Sequence, residues 1–234
     1  MGKIGAILLG LALVVSSIVL GFSADRVMKS FKAGERSVVV KGLSEKEVQA
    51  NVMILPIKFT RANNDLNALY KDLESDAQRV STFLEQIGLD KKDITFTPPI
   101  VNDKLGDLYG GNQNVTYRYA GVGGVLLYTK EVALGRKALE EISQLGMDGV
   151  VIKIDDYEVE YIYTGLNAIK PQMIEEATLN AREAAMKFAK DSESQLGKIK
   201  RATQGQFSIT NRDKNTPYIK NVRVVSTIEY YLED

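Results

Sequence analysis

The chain has 234 residues, of which thirty are basic and thirty acidic, so its formal net charge is zero. This balance leaves no basic surplus for binding nucleic acid. The sequence contains no His, Cys or Trp. Their absence excludes disulfide bonds, a thiolate nucleophile, lipid attachment to a cysteine, and the commonest soft ligands of transition metals.

An uncharged apolar stretch near the start of the chain begins at Ile4 and ends at Phe22. As a helix it would span about 28 Å, close to the ~30 Å hydrocarbon core of a bilayer. We therefore interpret residues 1–24 as a transmembrane anchor. The alternative is a signal peptide cleaved after Ala24, but Phe22 then stands where a cleavage site needs a small residue.

The segment that follows bears on membrane orientation. Residues 25–36 read as a juxtamembrane linker, and residues 37–234 as one α+β domain or two small, intimately associated ones. Four cations in this linker would favour a cytoplasmic domain by the positive-inside rule, although two acidic residues partly offset them. These cations are Arg26, Lys29, Lys32 and Arg36.

The first half of the domain is predicted to contain four strands and one helix. Apolar residues at strand spacing predict strands at residues 37–42, 47–60, 94–97 and 115–129. Pro56 donates no ladder hydrogen bond, so the second strand is expected to be an edge strand or to contain a bulge. Between them, apolar residues three and four apart predict a helix at 64–87, with Asn63 or Asn64 as its cap and Gly88 at its end.

The second half is predicted to contain two helices and four strands. Helices are expected at residues 132–145 and 171–196, the second beginning with Pro171 and closed by Gly197. Strands are expected at 150–154, 158–164, 202–210 and 222–232. The predicted fold is α+β, with a mixed, largely antiparallel sheet and three helices.

Acidic residues are the main candidates for a metal site, and the densest cluster is Asp155, Asp156, Glu158 and Glu160. The alternation of its glutamates with apolar residues is typical of the solvent face of a strand, and the spacing of a calcium loop is missing. We predict no metal site and no cofactor. Asp103 and Asp107 are interpreted as parts of a surface loop.

Catalysis is not predicted either. Without His, a serine nucleophile would need a lysine base, and no serine lies in a G-x-S-x-G or S-x-x-K context. We therefore expect the protein not to be an enzyme.

Tyrosines and strand edges are the candidate interaction features, because tyrosine is enriched at protein interfaces and unpaired strands invite association. The candidate edges are residues 37–42, residues 222–232 and the strand that carries Pro56. The predicted interface residues are Val222, Val224, Tyr230, Tyr161 and Tyr163. The small-residue stripe of the helix at 171–196 is either a docking surface or packs on the domain's own sheet.

Three segments together resemble one known family. The opening strands read VVVKGLSEKEVQANVMILPIKF, the alanine-rich helix reads ATLNAREAAMKFAKDSESQLGKI, and the closing strands read QGQFSITNRDKNTPYIKNVRVVSTIEYYL. This combination resembles the SIMPL-domain (DUF541) proteins. It departs from many members at Ala50 and Asn51, where those carry Pro-Asp.

The resemblance has consequences for location and function. It implies a periplasmic or cell-envelope protein that assembles into homo-oligomers, with a link to envelope or oxidative stress and no known enzymatic activity. It therefore favours a periplasmic domain over the cytoplasmic one that the linker charges suggest. The first hypothesis is a membrane-anchored, self-assembling protein; the alternative is a monomeric or dimeric module that binds a small ligand or a partner protein.

Overall fold

The computed structural model describes residues 36–106 and 115–233. The predicted anchor, nearly all of the predicted linker, and Asp107 lie outside this range. Among the described residues, no helix has the length and apolar character required to cross a bilayer.

The described chain contains nine strands and four helices, and its class is α+β as predicted. The strands are β1 (Ser37–Gln49), β2 (Val52–Asn63), β3 (Ile94–Asp103), β4 (Tyr119–Thr129), β5 (Ile152–Lys153), β6 (Glu160–Ile162), β7 (Gln195–Gln204), β8 (Ser208–Asn211) and β9 (Ile219–Glu233). The helices are α1 (Leu66–Ile87), α2 (Val132–Glu141), α3 (Ser143–Met147) and α4 (Leu166–Asp191).

These elements form two compact units and two sheets, where the sequence predicted one mixed sheet. In its described part, the first unit comprises residues 36–46, 167–209 and 222–233. The second comprises the described residues of 47–166 together with 210–221.

The first unit packs α4 against a sheet in the order β1-β9-β7. Alanines at every fourth position, Ala177, Ala181 and Ala185, are fully buried along the helix. They allow a very close approach, because a Cβ on Gly42 of β1 would collide with the carbonyl oxygen of Ala177 and lie 2.5 Å from the amide nitrogen of Ala181. Phe188 of the same helix is exposed.

The second unit packs α1 on a sheet in the order β3-β4-β2-β5, with β6 also paired to β2. Asp65 caps the start of α1 by accepting a hydrogen bond from the amide of Ala68, and Gly88 ends the helix with a positive φ of 106°. The predicted cap at Asn63 or Asn64 is therefore one or two residues early, whereas the predicted end at Gly88 is confirmed.

Pro56 lies on β2, which is a central strand and not an edge. One side of β2 pairs with β4 along its length. On the other side, β6 pairs at Val52–Ile54 and β5 at Lys58 and Phe59, which leaves Pro56 in the gap between them. The missing amide hydrogen is tolerated at such a gap.

Two predicted helices have different ends in the structure. The helix predicted at 132–145 ends as α2 at Glu141, and the separate short helix α3 carries Gly146 inside it. The helix predicted at 171–196 begins at Leu166, so Pro171 lies inside it, and it ends at Asp191. Gly197 belongs to β7 and does not close the helix.

Candidate functional site

The outer edge of β1 is the first candidate interaction feature. The amide of Leu232 donates to the carbonyl of Arg36, and the amide of Ala50 donates to the carbonyl of Tyr218. Hydrogen-bonded and non-hydrogen-bonded pairs alternate in an antiparallel ladder, so the even-numbered residues of β1 are bonded to β9. The backbone groups of Val39 and Lys41 therefore face the open side of the sheet.

Only part of this edge is covered by the protein's own residues. The side-chain amide of Asn180 on α4 donates to the carbonyl oxygen of Leu43, at 2.8 Å. This contact satisfies the edge acceptor at Leu43. The stretch from Ser37 to Lys41 has no such cover among the described residues, and Val39 exposes 61% of its surface.

Two other outer strands, β7 and β3, carry features that discourage strand addition. β7 shifts register against β9 twice, between Leu196 and Ile199 and between Ile199 and Arg201. β3 contains Pro98 and Pro99 and shifts register between Thr97 and Ile100. By contrast, β1 contains no proline, and its hydrogen bonds with β9 at the two ends fit a single register.

The order of the strands in the first unit decides two of the predicted sheet edges. The prediction that residues 37–42 form an edge is confirmed, because β1 is the first strand of its sheet. The prediction that 222–232 form an edge is wrong, since β9 lies between β1 and β7. Val222, Val224 and Tyr230, proposed as interface residues on that edge, are buried in β9. Burial leaves their side chains no surface to offer a second molecule.

The other candidate feature is a cleft in the second unit, which is lined by Tyr161. We call it the tyrosine cleft. The ring of Tyr161 meets the ring of Tyr218 edge to face, with centroids 6.1 Å apart. The guanidinium of Arg136 stacks on the Tyr218 ring, 3.7 Å from the centroid. Burial raises the pKa of the Tyr161 phenol above its ordinary value, so it is neutral at physiological pH. Tyr163 lies just beyond β6 and is half-buried.

The tyrosine cleft has a volume of about 560 Å³ and is also lined by Tyr157 and Lys214. Tyr157 is the most accessible of its rings, with 82% of its surface exposed. The loop that carries Lys214 is held by Asp213, which accepts hydrogen bonds from the amides of Asn215 and Thr216, both at 2.8 Å. The hydrogen bond from the Thr216 hydroxyl, with those from Arg212 and the two amides, lowers the pKa of Asp213 well below its usual value.

Two residues of the acidic cluster, Asp155 and Glu158, are paired with lysines. Lys58 contacts Glu158 at 2.5 Å and Asp155 at 3.9 Å, and Lys153 contacts Asp155 at 3.6 Å. The Glu158 hydrogen bond raises the pKa of Lys58, which stays charged. Within the described ranges, no three Asp or Glu residues are arranged to hold a metal ion.

Asp103 is engaged in a similar way. Arg118 donates to both of its carboxylate oxygens, at distances from 2.8 to 3.2 Å. The arginine hydrogen bonds lower the pKa of Asp103. The described part of this loop is therefore fixed by a charge pair.

Sequence reasoning did not identify Arg136, Tyr218 or Lys214 as cleft residues. Arg136 lies in an ordinary charged stretch of α2, and Tyr218 is distant from it in sequence. No local pattern joins them; only the folded chain brings the three together.

Comparison with models of known protein families gives a match. The family model described as SIMPL, protein of unknown function (DUF541), matches residues 38–226. No curated protein matches the chain.

Proposed function

The chain belongs to the SIMPL (DUF541) family, and from this premise we propose that it is a non-enzymatic interaction module that self-associates on the periplasmic side of a bacterial inner membrane. Membership of this family suggests a periplasmic-type binding or interaction module. In the proposal, the apolar segment from Ile4 to Phe22 tethers the protein to the bilayer, and identical copies are its partners. A link to envelope or oxidative stress follows from the family resemblance.

The observation that carries the proposal is the edge at Ser37–Lys41, which no described residue covers. An edge strand with outward-facing amides and carbonyls is a template for another strand. Each backbone hydrogen bond contributes about 1 kcal/mol net, so a few added pairs give only a weak contact. Tethering compensates, because it confines the copies to two dimensions and raises their effective concentration.

Substitution of Val39 by proline tests this edge. The Val39 amide faces away from β9, so proline removes a donor from the open side and leaves the ladder to β9 intact. We expect Val39→Pro to fold normally and to lose self-association, with a dissociation constant at least ~10-fold higher, because each of the two β1 edges that meet in a contact between identical copies loses one donor. Val39→Ala is the matched control, since it shortens the side chain and keeps the amide.

The readout is the particle mass of the full-length protein in detergent. Wild type and Val39→Ala are expected to form the same oligomer, and Val39→Pro a smaller particle. An unchanged particle mass in Val39→Pro, with normal circular dichroism, would exclude this edge as the contact. A monomeric wild type would exclude self-association altogether.

The tyrosine cleft supports a second candidate, a monomeric or dimeric module that binds a partner protein. Tyrosine and arginine are the residue types most often found at the energetic centre of protein interfaces. A photo-crosslinking amino acid at Tyr157 is expected to give a discrete adduct in intact cells, which Arg136→Glu abolishes. The same crosslinker at exposed Phe188 in the other unit is the control. Equal adducts at both positions would contradict a specific site.

A further inference from the structure

A second cavity in the second unit lies between α1 and the strands β3 and β4, away from the residues of the tyrosine cleft. Its volume is about 430 Å³, within the usual range for small-molecule sites. Three aromatic rings line it: Phe59 at its buried floor, and Tyr70 and Phe96 at its partly exposed walls. We call it the aromatic groove.

Two glycines of β4 shape this groove. Gly123 pairs directly with Phe59, and a Cβ at this position would collide with the phenylalanine ring. Gly124 pairs with Thr97 of β3, and a Cβ there would lie 2.5 Å from the threonine Oγ1. Gly123 therefore lets the Phe59 ring lie against the strand, and Gly124, on the opposite face of the strand, lets the Thr97 side chain approach the backbone.

The charge of the groove comes from a single residue. Tyr70, Glu74 and Gln78 follow one another at four-residue steps on α1, which places them on one face of the helix. Among the described residues that line the groove, Glu74 is the only one with a charged side chain, and none is Lys or Arg. In the part of the chain that the structure describes, Glu74 takes part in no salt bridge or side-chain hydrogen bond.

We propose that the aromatic groove binds a small organic cation with an apolar body, such as a substituted ammonium ion. Aromatic faces attract cations through the ring quadrupole, and the attraction is stronger where water is displaced. An unpaired carboxylate at the rim adds attraction for the same charge and disfavours anions. The apolar walls accommodate the rest of the ligand. The proposal is independent of self-association, because the β1 edge belongs to the other unit.

The test uses the full-length protein in an uncharged detergent and three probes of similar shape. These are benzyltrimethylammonium, the uncharged neopentylbenzene, and the anion benzenesulfonate. Calorimetry measures affinity, and the amide chemical shifts of Gly123 and Gly124 report binding in the groove. We expect the cation to bind about 5- to 30-fold more tightly than the uncharged probe, from the usual strength of cation–π contacts. The anion is expected not to bind.

Two variants separate charge from shape. Glu74→Gln is expected to weaken cation binding several-fold and to leave the uncharged probe unaffected, and Phe96→Ala to weaken both probes. Glu175→Gln, at an exposed position of α4, is the matched control and is expected to change neither. Equal affinities for the charged and uncharged probes, no effect of Glu74→Gln, or no shift at the two glycines would each overturn the proposal. So would occupation of the groove by another segment of this chain.

Discussion

Replacing Gly42 by alanine tests the packing that forms the first unit. A methyl group at Gly42 would lie 2.5 Å from the amide nitrogen of Ala181 and closer still to the carbonyl oxygen of Ala177. Both are helix backbone atoms, which no side-chain rotation can move away. The helix must therefore retreat from β1 by about 1.5 Å to restore ordinary contact distances.

The expected cost follows from the contacts that this retreat disturbs. Overpacking of this kind costs about 1–3 kcal/mol. The movement also lengthens the 2.8 Å hydrogen bonds from Asn180 to Leu43 and from Ser44 to Glu176, each worth about 1 kcal/mol. Alanine regains about 0.5 kcal/mol through the unfolded chain. We expect the free energy of unfolding to fall by about 3 kcal/mol.

Urea unfolding followed by circular dichroism measures this change, and the chain supplies its own control. Gly146 lies in helix α3, where a methyl group added to its Cα would have no described atom within 4 Å apart from its chain neighbours and the backbone of its own helix, and its φ is not positive. Gly146→Ala is therefore expected to be neutral or to stabilise by up to ~1 kcal/mol. If Gly42→Ala is as stable as Gly146→Ala, the close contact between β1 and α4 is refuted.

Two further predictions concern charged pairs in the second unit. Arg61→Met should lower the free energy of unfolding by about 3–5 kcal/mol. The carboxylate of Asp76 is only 1% exposed, and the substitution removes the arginine that binds both of its oxygens. A loss below ~1 kcal/mol in urea unfolding would contradict this prediction. Asp103→Asn should be less stable than wild type at neutral pH, since the arginine hydrogen bond lowers the folded-state pKa of Asp103. A carboxyl group whose pKa is lower in the folded state stabilises the protein at pH values above its unfolded-state pKa of 3.8. This stabilisation is lost as the pH falls through the folded-state pKa, so the free energies of unfolding of the two proteins should become equal in acid. A difference that does not change with pH would contradict this assignment.

The sequence was sufficient to predict elements with a strong local pattern. The period of apolar residues and the terminal Gly88 predicted α1 nearly to its ends, because both signals are local. In β9, alternation correctly indicated a strand with one buried face. The alternation did not indicate which strands lie on either side of β9. The strand is central because of the chain topology, and the spacing of apolar residues carries no information about topology. For this reason Val222 and Val224 were assigned to an edge and are in fact buried.

The ends of α4 were mispredicted for a different reason. Pro171 suits a first helical turn, so it was interpreted as the start, whereas the helix begins at Leu166 and accommodates the proline inside. At the other end, Glu193 takes a positive φ of 54°, which stops the helix before the glycine that was expected to do so. Positive φ is uncommon in glutamate, so no residue preference signals this end.

The candidate sites show the same limit. Tyr161 was selected from the sequence because tyrosine favours interfaces, and the structure places it in the tyrosine cleft. Its companions Arg136 and Tyr218 join it only through folding. The sequence does not predict the aromatic groove, since Tyr70 fits the spacing of the apolar residues that predict α1. The only features of the sequence that indicate a cavity beside Tyr70 are its polar hydroxyl group and its position at the border of the apolar face of α1.

Native mass spectrometry of the full-length, detergent-extracted protein tests the central claim most directly, because one spectrum reports both the mass of each chain and the number of chains per particle. The account predicts chains that retain residues 1–24 and that associate as a defined homo-oligomer. A single chain per particle, lacking those residues, would contradict both the tether and the self-association.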